Sequence, residues 1–188
     1  MADLLSHLTN LFSWSGRAQY YPDDQYMGLR RMLLRTSWDV DGSHGVSAIL
    51  METGYTEDVV TLVVTADGTL SLYYSSGGGV VGWGTYDGPR RAAQELLETA
   101  GGFQNFCTLT KKYPLPLKGN TRFYLVTAGG VLTAEAKLDE LGSDRHRLSP
   151  LFRKAHELIG EIRAVDQTKH AREAVQETAA AAPEDPLA

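Results

Sequence analysis

Apolar positions recur along this chain with two different periods, and the switches between them lay out its elements. Leu4, Leu5, Leu8, Leu11 and Phe12 share one face at helical spacing, with Asp3 placed to cap them. A helix this short does not persist alone in water, so it must dock on its own domain or on a partner. Gly16, Pro22 and paired aspartates mark a connector over Ser13–Gln25. A second helix is predicted from about Asp24 to Ser37, burying Met27, Met32, Leu33 and Leu34, with Arg30, Arg31 and Arg35 along its wet edge. Beyond the polar loop Asp39–Gly45 the reading changes to strands: Val46–Thr53, Val59–Ala66 and Thr69–Tyr74, rich in Val and Thr as pleated surfaces favour. Asp67-Gly68 supplies the positive φ values of a tight hairpin between the last two.

Ser75–Gly84 holds five glycines and reads as loop or irregular strand. Gly88-Pro89 then opens a third helix, capped by Asp87 or Gly88, with the proline in the first turn where its missing N–H costs nothing. Its stripe of Ala93, Leu96, Leu97 and Ala100 continues through Phe103, Phe106 and Cys107. One helix kinked at Gly101-Gly102 is therefore expected, ended by Pro114 and Pro116 and solvated at its end by Lys111-Lys112. Thr121–Thr127 and Val131–Leu138 alternate and are joined at Gly129-Gly130. Leu132, Ala134, Ala136 and Leu138 form an apolar face, while Val131, Thr133, Glu135 and Lys137 form a mixed polar one. Ser149-Pro150 starts a last helix with the stripe Leu151, Phe152, Ala155, Leu158, Ile159 and Ile162. After about Val165 the chain turns charged, then Ala-rich, and residues 178–188 carry no apolar pattern, as a disordered tail would. The organisation expected is a short helix and connector over 1–25, one α+β domain over 26–165 and an extension over 166–188. The domain holds a mainly antiparallel five-stranded sheet whose apolar face is covered by helices, in the order (α)-α-βββ-α-ββ-α.

Composition narrows the class. With 188 residues, 43% apolar, the chain is long enough to fold on its own core without a metal or disulfide framework. Its single cysteine excludes an internal bridge and a Cys-rich zinc site. A formal charge of −5 argues against nucleic acid as partner. No apolar run approaches the length that spans a bilayer, and the acidic start Met1-Ala2-Asp3 is unlike a secretory signal, so the cytoplasm is expected and a membrane is not.

The order helix–βββ–helix–ββ–helix over roughly residues 26–165, in a small acidic chain, resembles the type III secretion chaperone-like fold. The chain departs from that family in its extra N-terminal helix and its glycine-rich segment at 75–84. Roadblock and longin domains are similar at a further remove, since they place two strands before the middle helix and three after it. The chaperone resemblance implies a dimeric, non-enzymatic binder of other polypeptides.

Side chains that could carry chemistry are scattered. Gly77-Gly78-Gly79-Val80-Val81-Gly82 matches the dinucleotide fingerprint in letters, but several residues from Trp83 on intervene before the next helix, so no helix N-terminus can hold the phosphates. None of His7, His44, His146, His156 and His170 forms a ligand pair at helical spacing, and no metal or cofactor is expected. Cys107 falls at a buried spacing and reads as a small apolar residue. Glu52, opposite in alternation to Met51, reads as a solvent-facing strand position. No catalytic residue is assigned.

These readings converge on a soluble, bacterial-type, non-catalytic protein-binding module, of chaperone, adaptor or immunity type, whose partner is another protein or a second copy of itself. The candidate contact residues are Trp83 and Tyr86 as aromatic anchors beside the glycine-rich segment, Arg30 and Arg31 as steering charges, and Leu8 and Phe12 on the first helix. The alternative is a small-ligand sensor that folds residues 75–84 over its ligand. A third reading, a hydrolase-type enzyme, requires His44, His146 or Glu52 to converge in three dimensions.

Overall fold

The structure, a computed structural model, describes residues 20–36 and 45–180, with side chains up to residue 169. The first predicted helix, with Leu8 and Phe12, lies outside these residues, as do His7, His44 and the end of the C-terminal extension.

Helix α1 spans Asp24–Arg35, and Asp23 caps it: its Oδ1 accepts from the backbone N–H of Gln25 at 2.8 Å and of Tyr26 at 3.2 Å. Strands β1 (Ala48–Gly54), β2 (Val59–Thr65), β3 (Leu70–Tyr74) and β4 (Gly79–Val81) follow, then a 3-10 turn at Trp83–Thr85 and helix α2 (Asp87–Gly101). A second 3-10 turn at Gln104–Phe106 leads into β5 (Thr108–Thr110), β6 (Asn120–Thr127), β7 (Gly130–Lys137), the short α3 (Leu138–Gly142) and the long α4 (Ser149–Ala180). The strands form one sheet in the order β4-β3-β2-β1-β6-β7-β5, and each neighbouring pair is antiparallel.

The pleat sorts side chains to two covered faces. Ile49 and Met51 of β1 lie with Leu62, Val64, Phe123 and Leu125 beneath Ala93, Leu96, Leu97 and Ala100 of α2 and Leu151, Ala155, Leu158 and Ile162 of α4. Ala48 and Leu50 lie with Val63, Tyr124, Val126 and Val131 on the other face, beneath Leu33 and Leu34 of α1. The domain is therefore three layers deep, with the sheet in the middle.

The α+β class and the antiparallel sheet agree with the sequence; the strand count and order do not. Among the described residues there are seven strands, because β4 lies within the glycine-rich segment and β5 within the stretch read as the end of the middle helix. Helix α2 stops at Gly101, after which the amide of Gly102 donates back to the carbonyls of Ala100 and Thr99. Phe103 and Phe106 then pack edge to face across the 3-10 turn, and Cys107 is half-buried, its thiol pushed up to about 11 by burial. Lys111 and Lys112 consequently follow a strand rather than a helix. In α1 the apolar assignment also shifts: Met32 is exposed, and Tyr26 is buried instead, its hydroxyl 2.8 Å from Thr61 Oγ1. Helix α2 is preceded by Tyr86, with Asp87 as its first residue rather than its cap. The segment before α2 is held by a close backbone approach: a Cβ on Gly84 would collide with the carbonyl oxygen of Gly68, so the β2–β3 turn and the strap over it meet only through glycine.

Candidate functional site

Three places concentrate side chains that local structure alone does not explain, and the first lies under α1. The register sets Tyr73, Thr61, Glu52, Arg122 and Glu135 side by side across five strands on that face. Arg30 descends from α1 onto this row, donating Nε to Glu52 Oε1 at 2.5 Å and Nη2 to Oε2 at 2.9 Å. Its remaining donors reach the carbonyls of Tyr113 at 2.7 Å and Pro114 at 3.1 Å, and Tyr124 donates to the latter at 2.6 Å. Arg122 pairs with Glu135, which also accepts from the Leu117 amide at 2.9 Å and Asn120 Nδ2 at 2.8 Å. Burial pushes the Glu52 carboxyl above its usual range, and the guanidinium beside it opposes that shift. Glu52 is 0% exposed, which corrects its reading as a solvent-facing position. A carboxylate with both oxygens engaged by one arginine and no access to water has no role as an acid or base; this cluster fixes α1 on the sheet.

The second place lies on the opposite face. Two adjacent cross-strand rows, Met51–Leu62–Leu72 and Thr53–Val60–Tyr74, form the floor of a cleft. His156, Ile159 and Arg163, at positions i, i+3 and i+7 of α4, form its roof, and Tyr55 closes the end beyond β1. The cavity is about 40 Å³, whereas nucleotide- or drug-sized ligands occupy pockets of roughly 300–1,000 Å³. His156 packs against Phe152 with ring centroids 4.2 Å apart and the rings tilted by 48°, and burial, with the Arg163 charge, lowers its pKa to about 4, so the ring is neutral at neutral pH. Burial pushes the Tyr55 hydroxyl up to about 12, with Arg163 pulling against it, and raises Tyr74 likewise.

The third place is the β5 rim of the sheet. Leu70, Val64, Ile49, Leu125, Leu132 and Leu109 are in register from β3 to β5, an apolar row across six strands. The row is buried through Leu125, half-buried at Leu132 and 63% exposed at Leu109. Phe106, just before β5, is 45% exposed, and the Arg147 guanidinium lies 5.6 Å from its ring centre. The outer edge of β5 pairs with no described strand.

The residues singled out in the sequence do not assemble into one site. Trp83 is 6% exposed and belongs to the core beneath α2, so it is no free aromatic anchor; Tyr86, 5.9 Å from it between ring centres, is 40% exposed. Arg30 is consumed by Glu52, while Arg31 is exposed. Within residues 75–84 the chain makes a closed hairpin turn, with Gly77 donating to the Tyr74 carbonyl and Tyr74 to that of Gly78, then β4 and the start of the 3-10 turn. His146 accepts from the Leu148 amide at 3.2 Å ahead of α4, on the face opposite Glu52, so these two do not converge. Tyr55, Tyr74, Arg163, Phe106 and Leu109 were not legible as site residues; only the spacing of His156, Ile159 and Arg163 along one helix hinted at a shared face. Among the described residues there is no group of three or more His, Cys, Asp or Glu that could hold a metal, and no helix long and apolar enough to cross a membrane. No family model matches the chain, and no curated protein or solved structure does either.

Proposed function

We propose that this protein is a non-catalytic binding module that takes up a segment of another polypeptide as an extra strand along β5. The observation that carries the reading is the apolar row that crosses the sheet and ends uncovered at Leu109. An added strand would place one side chain beside Leu109 and continue the row, while its backbone would pair with the open edge of β5. Exposed Phe106 supplies an aromatic contact next to that edge, and aromatic residues are enriched at interface cores. Chaperone, adaptor and immunity roles all use such binding.

The test is to isolate the complex formed in native lysate and map backbone hydrogen exchange in it. Protection is expected over residues 108–110, and Leu109→Asp should abolish stoichiometric capture while leaving the unfolding midpoint unchanged. A complex that survives Leu109→Asp, or protection confined to the surface around Tyr86 and Arg31, would overturn the assignment to β5.

A further inference from the structure

The cleft between α4 and the sheet contains an arginine whose surroundings do not account for it. Arg163 Nε is shielded from solvent and has no hydrogen-bond partner among the described residues, and the same holds for His156 Nε2 in the same roof. None of the ion pairs formed among the described residues involves Arg163. Its neighbours in the cleft are neutral: the tyrosines Tyr55 and Tyr74, the imidazole of His156, and the Thr53 hydroxyl, which is spent on Thr121 at 3.0 Å. Asp58, the carboxylate nearest in effect to Tyr74, is engaged by the hydroxyls of Ser75 and Ser76 and the Ser76 amide. A shielded guanidinium edge without an acceptor is unfavourable, and the folded chain holds it over an apolar floor of Met51, Leu62 and Leu72.

We infer that this cleft binds a small aliphatic carboxylate, its carboxylate paired with Arg163 and its short tail against Met51, Leu62 and Leu72. Three features select that chemistry. A planar carboxylate matches the fork of a guanidinium, and the pairing strengthens where water is excluded. A neutral imidazole and two tyrosines add donors without adding charge, which suits a monoanion rather than a multiply charged phosphate. The volume of about 40 Å³ compares with the ~10–15 Å³ needed to hold one water, so the cavity has room for a carboxylate and a short tail and for nothing as large as a nucleotide. The site faces away from α1 and is built without β5 or β7, so it does not depend on the polypeptide-binding reading.

The experiment is an NMR titration of the full chain with sodium propionate at constant ionic strength, followed through the His156 ring and the Tyr55 and Tyr74 side chains. Saturable shifts at these three residues are expected, with a rise in the His156 pKa as the bound anion offsets the neighbouring charge. Arg163→Gln should weaken the apparent affinity at least tenfold, whereas Arg153→Gln, which loses only an exposed pair with Asp144, should leave it unchanged. Shifts that stay linear to 0.1 M, or equal affinity in wild type and Arg163→Gln, would overturn the site. Inorganic phosphate binding more tightly than propionate would overturn the carboxylate assignment. Leu109→Asp should not alter the titration, which separates failure here from failure of the strand-addition reading.

Discussion

The ion pair between Arg30 and Glu52 shows how much a single buried residue can decide. Both charges have left water, and what compensates them is geometry: two bonds between the partners and two more from the guanidinium to backbone carbonyls. Removing one partner strands the other, so Glu52→Gln or Arg30→Met is expected to cost about 3–5 kcal/mol in urea unfolding. The double change Arg30→Met with Glu52→Leu should recover most of that loss; a double variant as unstable as the singles would mean that the pair's backbone contacts, not its charges, hold α1. His156 makes a second residue-scale case. Its pKa of about 4 in the folded chain lies below the ordinary value of about 6.5, because burial, seconded by Arg163, disfavours the charged ring. The unfolded chain therefore takes up the proton first as pH falls. The stabilisation is complete above about pH 6.5 and is lost progressively toward pH 4. Between pH 7.5 and 5, wild type should lose about 1–2 kcal/mol more stability than His156→Phe, the figure allowing for partial exposure of the ring. Equal losses in the two proteins would refute this.

At the scale of elements, legibility followed length. The strands of five to eight residues were readable because alternation has room to repeat, and the last helix because its stripe runs through several turns. Strands β4 and β5 have three residues each, fewer than two full periods, and owe their pairing to neighbours distant in sequence. Phe103, Phe106 and Cys107 happen to continue the spacing of α2, so the pattern ran on past Gly101-Gly102 while the backbone did not. Glu52 was placed on the correct side of β1 but given water as its surroundings. The layer that covers it, α1, meets it with an arginine, and a charged residue on a helix reads as its wet edge. The cleft was invisible for a related reason, since its floor comes from three strands and its roof from a helix about 80 residues further on. Capping was not legible at α1, where the paired aspartates read only as connector: Asp23 accepts two amides at the start of the helix, so Asp23→Ala should cost about 1 kcal/mol, measured by denaturant unfolding. Asp23→Asn should restore most of it, because an amide oxygen can accept the same bonds.

For the molecule as a whole, the two rims of the sheet are not equivalent. The β4 rim is flanked by glycines with positive φ at Gly77, Gly78 and Gly82 and is tied down at Gly79 and Gly84, where the backbone packs too closely for a side chain. The β5 rim is flanked instead by exposed Lys111 and Lys112, with Arg147 over the nearby Phe106, a local excess of positive charge on a chain whose net charge is −5. Lysines beside an edge strand discourage pairing between identical basic edges while leaving an acidic segment free to add. The proposed partner is therefore an extended segment with carboxylates flanking an apolar side chain. Exposed charges of this kind act mainly on the rate of encounter and are screened over about 8 Å at physiological salt. Replacing Lys111 and Lys112 together by Gln should slow association with the captured partner severalfold at low salt and flatten its salt dependence, with little change in the dissociation rate. Leu109→Ala should do the reverse, accelerating dissociation, because the side chain it removes contributes only after the strands are in contact. Surface-based kinetics at two salt concentrations separate the two effects. If the lysine variant altered dissociation alone, the charge at this rim would belong to the bound contact and not to the approach of the partner.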